Sequence, residues 1–478
     1  MRKIIVLTLC VTMLGIVSSA GAAVDSYFTN GTGNGKAYTS GNWTLWPIKN
    51  NIAHVGTADY NNMAATVDVR GNPQENIQQL HVGHGGTGVV IINNSGRIRP
   101  WNRCTIGADL EGNAGDGTID VQKGSLVTRN GAMLAGSETG YFTLWPGLMV
   151  GGDPLSGEAD SGGNGLLRIS AGDTWVDIRS NKDLLVGIGT GTGLSNGTVT
   201  LDPGINPGWG MNVSHGAYLG VSANSAGTLN IASGTVTIAW NSLNAFDVGG
   251  YGNGLVNMTG GYLHVVGAIN LARYAGSTGH IQLDGGIIET DLHFVERAGN
   301  GTMDIAGGEF IIPNNRTGAI NSYIASGVIT GYGNVGAGNL NIFDDGSDLH
   351  VTGIPPLEVD VDILPDDDPN LLTVNTQGKG RLPIAILGSE EYDINEIDLD
   401  TISIAGLVIP VKAKVGDDVS GDGLADLTVH VSRRDLILAL GLDIMEPGTA
   451  VPITIDCNLL NGRTVFGTDN VELVARED

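Results

Sequence analysis

Short runs of alternating apolar and polar residues recur along most of the chain, and glycine separates them. Gly115-Asp-Gly-Thr-Ile-Asp-Val121, Gly163-Asn-Gly-Leu-Leu-Arg-Ile169, Ala226-Gly-Thr-Leu-Asn-Ile231, Gly252-Asn-Gly-Leu-Val-Asn-Met258 and Gly299-Asn-Gly-Thr-Met-Asp-Ile305 are copies of one pattern. Shorter apolar stretches ending in glycine follow several of them, as in Leu184-Leu-Val-Gly187 and Phe246-Asp-Val-Gly249. Alternation with period two predicts strands. The glycines fit corners that need a positive φ or a close backbone approach. The copies begin at Val89, Thr118, Tyr141, Leu166, Thr198, Thr228, Leu255, His280 and Thr302, with a weak copy at Asn339.

Each unit holds three short runs, which suggests one coil of a parallel β-solenoid. Successive coils stack about 4.8 Å apart, with Val, Ile and Leu inward and Thr, Asn, Asp and Ser in columns outside. The fold expected is all-β: a right-handed parallel β-helix over 85–353, then a small β-sandwich-like domain over 354–478. A β-propeller competes less well, because its blades run to roughly 40 residues. Residues 24–84 are expected to form an N-terminal cap and first strands. Trp43 and Trp46 are candidates to cover the open end of the stack.

The first residues form an export signal. Arg2 and Lys3 precede the apolar run Ile4 to Val17, and small residues occupy 18–23, so 1–23 reads as a cleaved signal peptide. The run is too short for a membrane span, and no second long apolar run follows. A secreted or cell-surface location is therefore expected. Beyond the signal, only Cys104 and Cys457 remain, too far apart in the expected architecture for a disulfide framework.

Composition narrows the function classes. The chain has 478 residues, 75 of them glycine, and 50 acids against 24 bases for a formal charge of -26. Such a surface lacks the basic footprint of a nucleic-acid binder. The glycines follow no three-residue period, which excludes collagen. From residue 354 onward glycine thins, and 24 acids face 8 bases.

The sharpest motif lies in that acidic segment. Asp418, Ser420, Asp422 and Asp426 place oxygens at relative positions 1, 3, 5 and 9. Gly423 allows the turn, and Leu424 offers a carbonyl at position 7. Hard oxygen ligands at this spacing suit Ca²⁺. Position 12 is Val429, so the loop is not an EF-hand, and an acidic turn without metal is the alternative. Ser432 is placed to cap a short helix over 433–440, with Gly441 at its end.

Residues 25 to about 350 resemble the glycine-rich, autotransporter-type passenger repeats of secreted bacterial proteins. The opening Asn42-Trp43 element, Thr66-Val-Asp-Val69 and the Leu80-His-Val-Gly83 turn carry the likeness. Most of 358–435 resembles an accessory extracellular module, through Val361-Asp-Ile-Leu-Pro365, Gly380-Arg-Leu-Pro-Ile-Ala-Ile-Leu-Gly388 and the Asp418-Val-Ser-Gly-Asp-Gly423 loop. The resemblance implies location and calcium more than chemistry.

Two function classes stay open. One is an exported, non-catalytic surface or matrix protein, a scaffold or adhesin-like rod with a calcium-binding end module and cell-surface partners. The other is a secreted polysaccharide-binding or pectate-lyase-like degrading protein. Trp145, Trp175, Trp209 and Tyr251 are its candidate sugar-stacking residues. Gly83-His84-Gly85 resembles a polygalacturonase element, but no paired acids accompany it, so His84 reads as a turn histidine.

Overall fold

The computed structural model describes residues 24–28, 51–57, 63–67, 76–93, 96–108, 115–128, 146–151, 163–170, 174–179, 181–188, 195–204, 210–365, 367–374, 376, 380–407, 409–410 and 412–474. The chain divides into two compact units, 1–281 with 286–301 and 282–285 with 302–478. The signal segment, Trp43, Trp46, Tyr141, Trp145 and Trp209 lie outside the described residues.

The first unit is a parallel β-helix with three faces. The first face stacks Met63–Val67, Thr87–Ile92, Asp116–Val121, Gly163–Ile169, Ser195–Leu201, Ser225–Ile231 and the start of Asn253–Val265. The second stacks the start of Gly96–Ala108, then Gly124–Thr128, Trp175–Ile178, Gly210–Val213, Thr235–Ile238 and the end of Asn253–Val265. The third runs from Val24–Tyr27 through Asn51–Thr57, Asn76–His84, the end of Gly96–Ala108, Pro146–Val150, Asp183–Val186, Ala217–Leu219, Phe246–Val248 and Ile269–Leu271 to Phe294–Glu296. All these pairings are parallel.

The register matches the repeat pattern in the sequence. Val89, Thr118, Leu166, Thr198, Thr228 and Leu255 pair in one column. Thr118 pairs directly with Leu166, 48 residues on, and the copy expected at Tyr141 between them lies outside the described residues. Beside it, Ile119, Leu167, Val199, Leu229 and Val256 form a buried column inside the coil. Each coil buries its aliphatic side chains against the next, so the stack rather than any single unit supplies the core.

Glycine makes the corner between the third and first faces. Gly56, Gly83, Gly107, Gly151, Gly187, Gly220 and Gly249 lie at or just past the ends of successive third-face strands, all with φ between 63° and 82°. Each nests against a neighbouring coil; a Cβ on Gly220 would lie closer than 3 Å to the Asn253 backbone. The Val-Gly element of the sequence is this corner.

One expectation needs correction: the exterior is not uniformly solvated. Side chains on the outward side of the third face are buried as well. Met149, Leu185, Ile188, Tyr218 and Val221 form a second apolar cluster there, with Trp240 against it. The cluster continues along the same column into Asp247 and Asn270, both fully buried.

In the second unit, Leu340–Asp344 and Asp348–Gly353 form an antiparallel hairpin. Asp348–Gly353 also pairs antiparallel with Glu309–Pro313. The weak copy at Asn339 is thus a hairpin and not another coil. Beyond it, one sheet holds Leu357–Glu358, Leu371–Thr373, Ile397–Ile404, Ala450–Leu459 and Thr464–Val474. Val361–Ile363, Arg381–Ile386, Lys412–Asp417 and Asp426–Ser432 form the other. Leu382, Ile384, Val429 and Val431 of one sheet share a core with Ile453, Ile455, Val465 and Leu473 of the other, which makes this a β-sandwich.

Helix Arg433–Ala439 starts where the sequence places it. The Ser432 hydroxyl accepts from the Asp435 amide, and Gly441 is left-handed. Pro410 has no N–H for a ladder, and pairing begins at Lys412. Cys104 and Cys457 are free and buried. No helix among the described residues is long and apolar enough to cross a membrane.

Candidate functional site

The acidic loop joins strands Lys412–Asp417 and Asp426–Ser432 at an antiparallel turn. Its carboxylates organise the backbone. Asp418 accepts from the Gly421 amide at 2.7 Å and the Gly423 amide at 3.1 Å, and the Ser420 hydroxyl lies 3.5 Å from it. Asp422 accepts from the Leu424 amide at 2.8 Å. Asp426 is fully buried; it accepts from the amides of Val419 at 2.6 Å, Ser420 at 3.0 Å and Gly388 at 2.7 Å. The neighbouring Asp417 is held by Lys414 at 2.6 Å.

The structure therefore brings Asp418 and Ser420 together and ties Asp426 to the same turn from below. Asp422 curls onto its own backbone instead. The donor types suit Ca²⁺, and Asp418 and Asp422 keep oxygen lone pairs beyond their amide contacts, whereas one Asp426 oxygen already accepts from both Val419 and Ser420. Asp426, with both oxygens bound to amides, acts first as the anchor of the loop.

Of the four expected stacking aromatics, Tyr251 is the one whose ring is described. It lies face to face with Tyr274 of the following coil, with centroids 3.9 Å apart and planes 8° from parallel. The Arg273 guanidinium sits 5.7 Å from the Tyr274 ring. Trp175 opens a second-face strand, but its indole lies outside the described side chains, as does the imidazole of His84.

Polar chemistry missed by sequence reasoning lies against the third face. The Asp247 carboxylate takes two hydrogen bonds from Arg273, at 2.7 and 3.0 Å, and one from the Asn270 amide at 2.8 Å. Arg273 also donates to Asn244, and Arg297 donates to Asn270. Burial pushes the Asp247 carboxyl up to about 6, against the opposing pull of Arg273 and Asn270. Two coils earlier, buried Asp183 lies 2.6 Å from His215, whose ring stacks on Trp240 at 3.8 Å. The available signal was the inconspicuous Phe246-Asp-Val248 and Ile269-Asn-Leu271 strands, which carry a polar residue in an otherwise apolar triplet.

The outward side of the first face is shallower. Asp116, Asn164 and Asn196 form a column joined by amide hydrogen bonds of 2.8 and 3.1 Å. With Thr87, Thr118 and Thr198 they line an open groove of about 380 Å³. No family model, curated protein or solved structure matches this chain.

Proposed function

We propose that the chain is an exported surface or matrix protein whose β-helix is a rigid, non-catalytic scaffold. The observation that carries this reading is the use of outward polar side chains between coils. Asp116 binds Asn164, Asn164 binds Asn196, Asp120 binds Ser170, Asp202 binds Ser233 and Asn230 binds Asn257. Side chains bonded along the axis stiffen the stack and present a regular polar surface to cell-surface components. The resemblance to autotransporter-type repeats and the amino-terminal export signal support the same reading.

A second reading, polysaccharide binding or cleavage, draws on the Tyr251–Tyr274 pair beside Arg273. A flat aromatic edge suits a sugar ring. A glycan array with reducing-sugar and unsaturated-product assays separates the two readings. Absence of both binding and product supports the scaffold, and binding without product supports the binding form of the second reading. Release of unsaturated uronide from any acidic polysaccharide overturns the non-catalytic reading.

Calcium at the 418–426 loop completes the proposal, with Asp418, Ser420, Asp422, the Leu424 carbonyl and Asp426 as the candidate ligands. A site occupied at ten times its Kd adds about 1.4 kcal/mol to the folded state. Calcium should therefore raise the melting temperature by a few degrees in scanning fluorimetry. The double variant Asp418→Asn/Asp422→Asn should lose that rise, and an unchanged calcium response in it removes the metal.

A further inference from the structure

The second face carries a mixed set of donors that neither the acidic loop nor the polar columns use. Tyr262 and His264 alternate on strand Asn253–Val265. Glu289 sits on the next coil, in strand Thr278–Thr290, and Asp291 follows it with its amide bonded to the Val265 carbonyl. Parallel stacking of two adjacent coils thus sets these four side chains over one patch.

Their contacts are specific. His264 Nε2 lies 2.9 Å from Asp291 Oδ1. The Tyr262 hydroxyl donates to Glu289 Oε2, and the Tyr262 ring lies near-parallel to His264 with centroids 5.9 Å apart. The Tyr262 hydroxyl thus spends its proton on Glu289. It fixes one Glu289 oxygen and leaves the other available. One ligand atom each from His264, Glu289 and Asp291 lies within 4.8 Å of the other two, and no other such group of three occurs among the described residues.

We propose that His264, Glu289 and Asp291 bind a divalent first-row transition ion, Zn²⁺ by preference, with water completing the coordination. An imidazole nitrogen beside two carboxylates selects such ions over Ca²⁺ and Mg²⁺, which take oxygen ligands. Bond lengths of about 2.0–2.2 Å require the three groups to close slightly. Their partial exposure permits this: the side chains of His264 and Asp291 are 26% and 41% accessible. Tyr262 is a positioning residue that orients Glu289.

Two histidine–carboxylate contacts elsewhere among the described residues lack this convergence. His350 meets Glu309 through Nδ1 and Asp345 through Nε2, on opposite sides of the ring. His215 meets the single buried carboxylate of Asp183 beneath Trp240.

The test is calorimetric titration of the untagged, chelator-treated full chain with ZnCl₂ and separately with CaCl₂. Stoichiometric Zn²⁺ uptake is expected, and His264→Ala or Glu289→Gln should each weaken it by about tenfold or more. Tyr262→Phe should weaken it less and keep the stoichiometry. Asp418→Asn/Asp422→Asn should leave zinc uptake intact, which separates this site from the acidic loop. Absence of zinc uptake by the folded chain, or uptake unaffected by His264→Ala, overturns the proposal. Circular dichroism of each metal-free variant verifies that it folds. If the patch only ties two strands together, His264→Ala lowers the melting temperature with no change in zinc binding.

Discussion

Replacing Gly220 by alanine should destabilise the β-helix by about 2–5 kcal/mol, from two additive sources. The residue sits at φ 63°, where an L side chain costs about 1–2 kcal/mol. Its new Cβ would also press into the Asn253 backbone of the neighbouring coil, which cannot yield as a flexible side chain can. Forced overpacking of that kind costs about 1–3 kcal/mol. Valine should do worse, because β-branching narrows the conformations further. The same corner column supplies a control. Ala272 continues it at φ 46°, so Ala272→Gly should relieve strain and stabilise the protein by about 1 kcal/mol. Urea unfolding followed by circular dichroism reads both. A Gly220→Ala chain as stable as the parent would mean that the corner is not a close backbone contact.

Arg273→Met should produce the second large effect, a loss of about 3–5 kcal/mol at neutral pH, because it strands the buried Asp247 charge. Replacing both partners, Asp247→Leu with Arg273→Met, should cost less than Arg273→Met alone, since no buried charge is then left unpaired. The pH dependence has a definite sign. Asp247 is raised from 3.8 in the unfolded chain to about 6 in the folded one. Its contribution to stability is therefore fully present below pH 3.8 and is lost as pH rises through about 6. The stability of the parent minus that of Asp247→Asn should fall across this window and level off above it. A difference that rises with pH instead would show that Arg273 outweighs burial and holds the carboxyl below its ordinary value. Arg273→Met should also lose less at pH 4 than at pH 8, because the stranded carboxyl can take up a proton.

The β-helix was legible because its information is local and repeated. Alternation marked the strands, the Val-Gly elements marked corners, and the column from Val89 to Leu255 pairs with the register the pattern implied. The pattern misled between Thr118 and Leu166, which pair directly although a further copy was expected between them. It misled again at Asn339, where apolar alternation fits an antiparallel hairpin as well as a coil. Period-two patterning reports that a strand has two faces; it carries no sign of strand direction. The Ser432 cap was readable because it involves residues three apart. Among the candidate ligands, the Ser420 hydroxyl lies 3.5 Å from Asp418. The anchoring of Asp426 by the Gly388 amide, 38 residues away, could not be read from the loop.

The sequence alone determined the strands, the glycine corners, the apolar columns and the acidic end module, since each depends on residues within one coil or one turn. Only the tertiary structure decided which outward residues become buried or meet. Asp247 joins Arg273 and Asn270, and His264 joins Glu289 and Asp291, because residues more than twenty positions apart become neighbours once coils stack. That distance is fixed by coil length, which varies from repeat to repeat. The pattern within a coil cannot encode it.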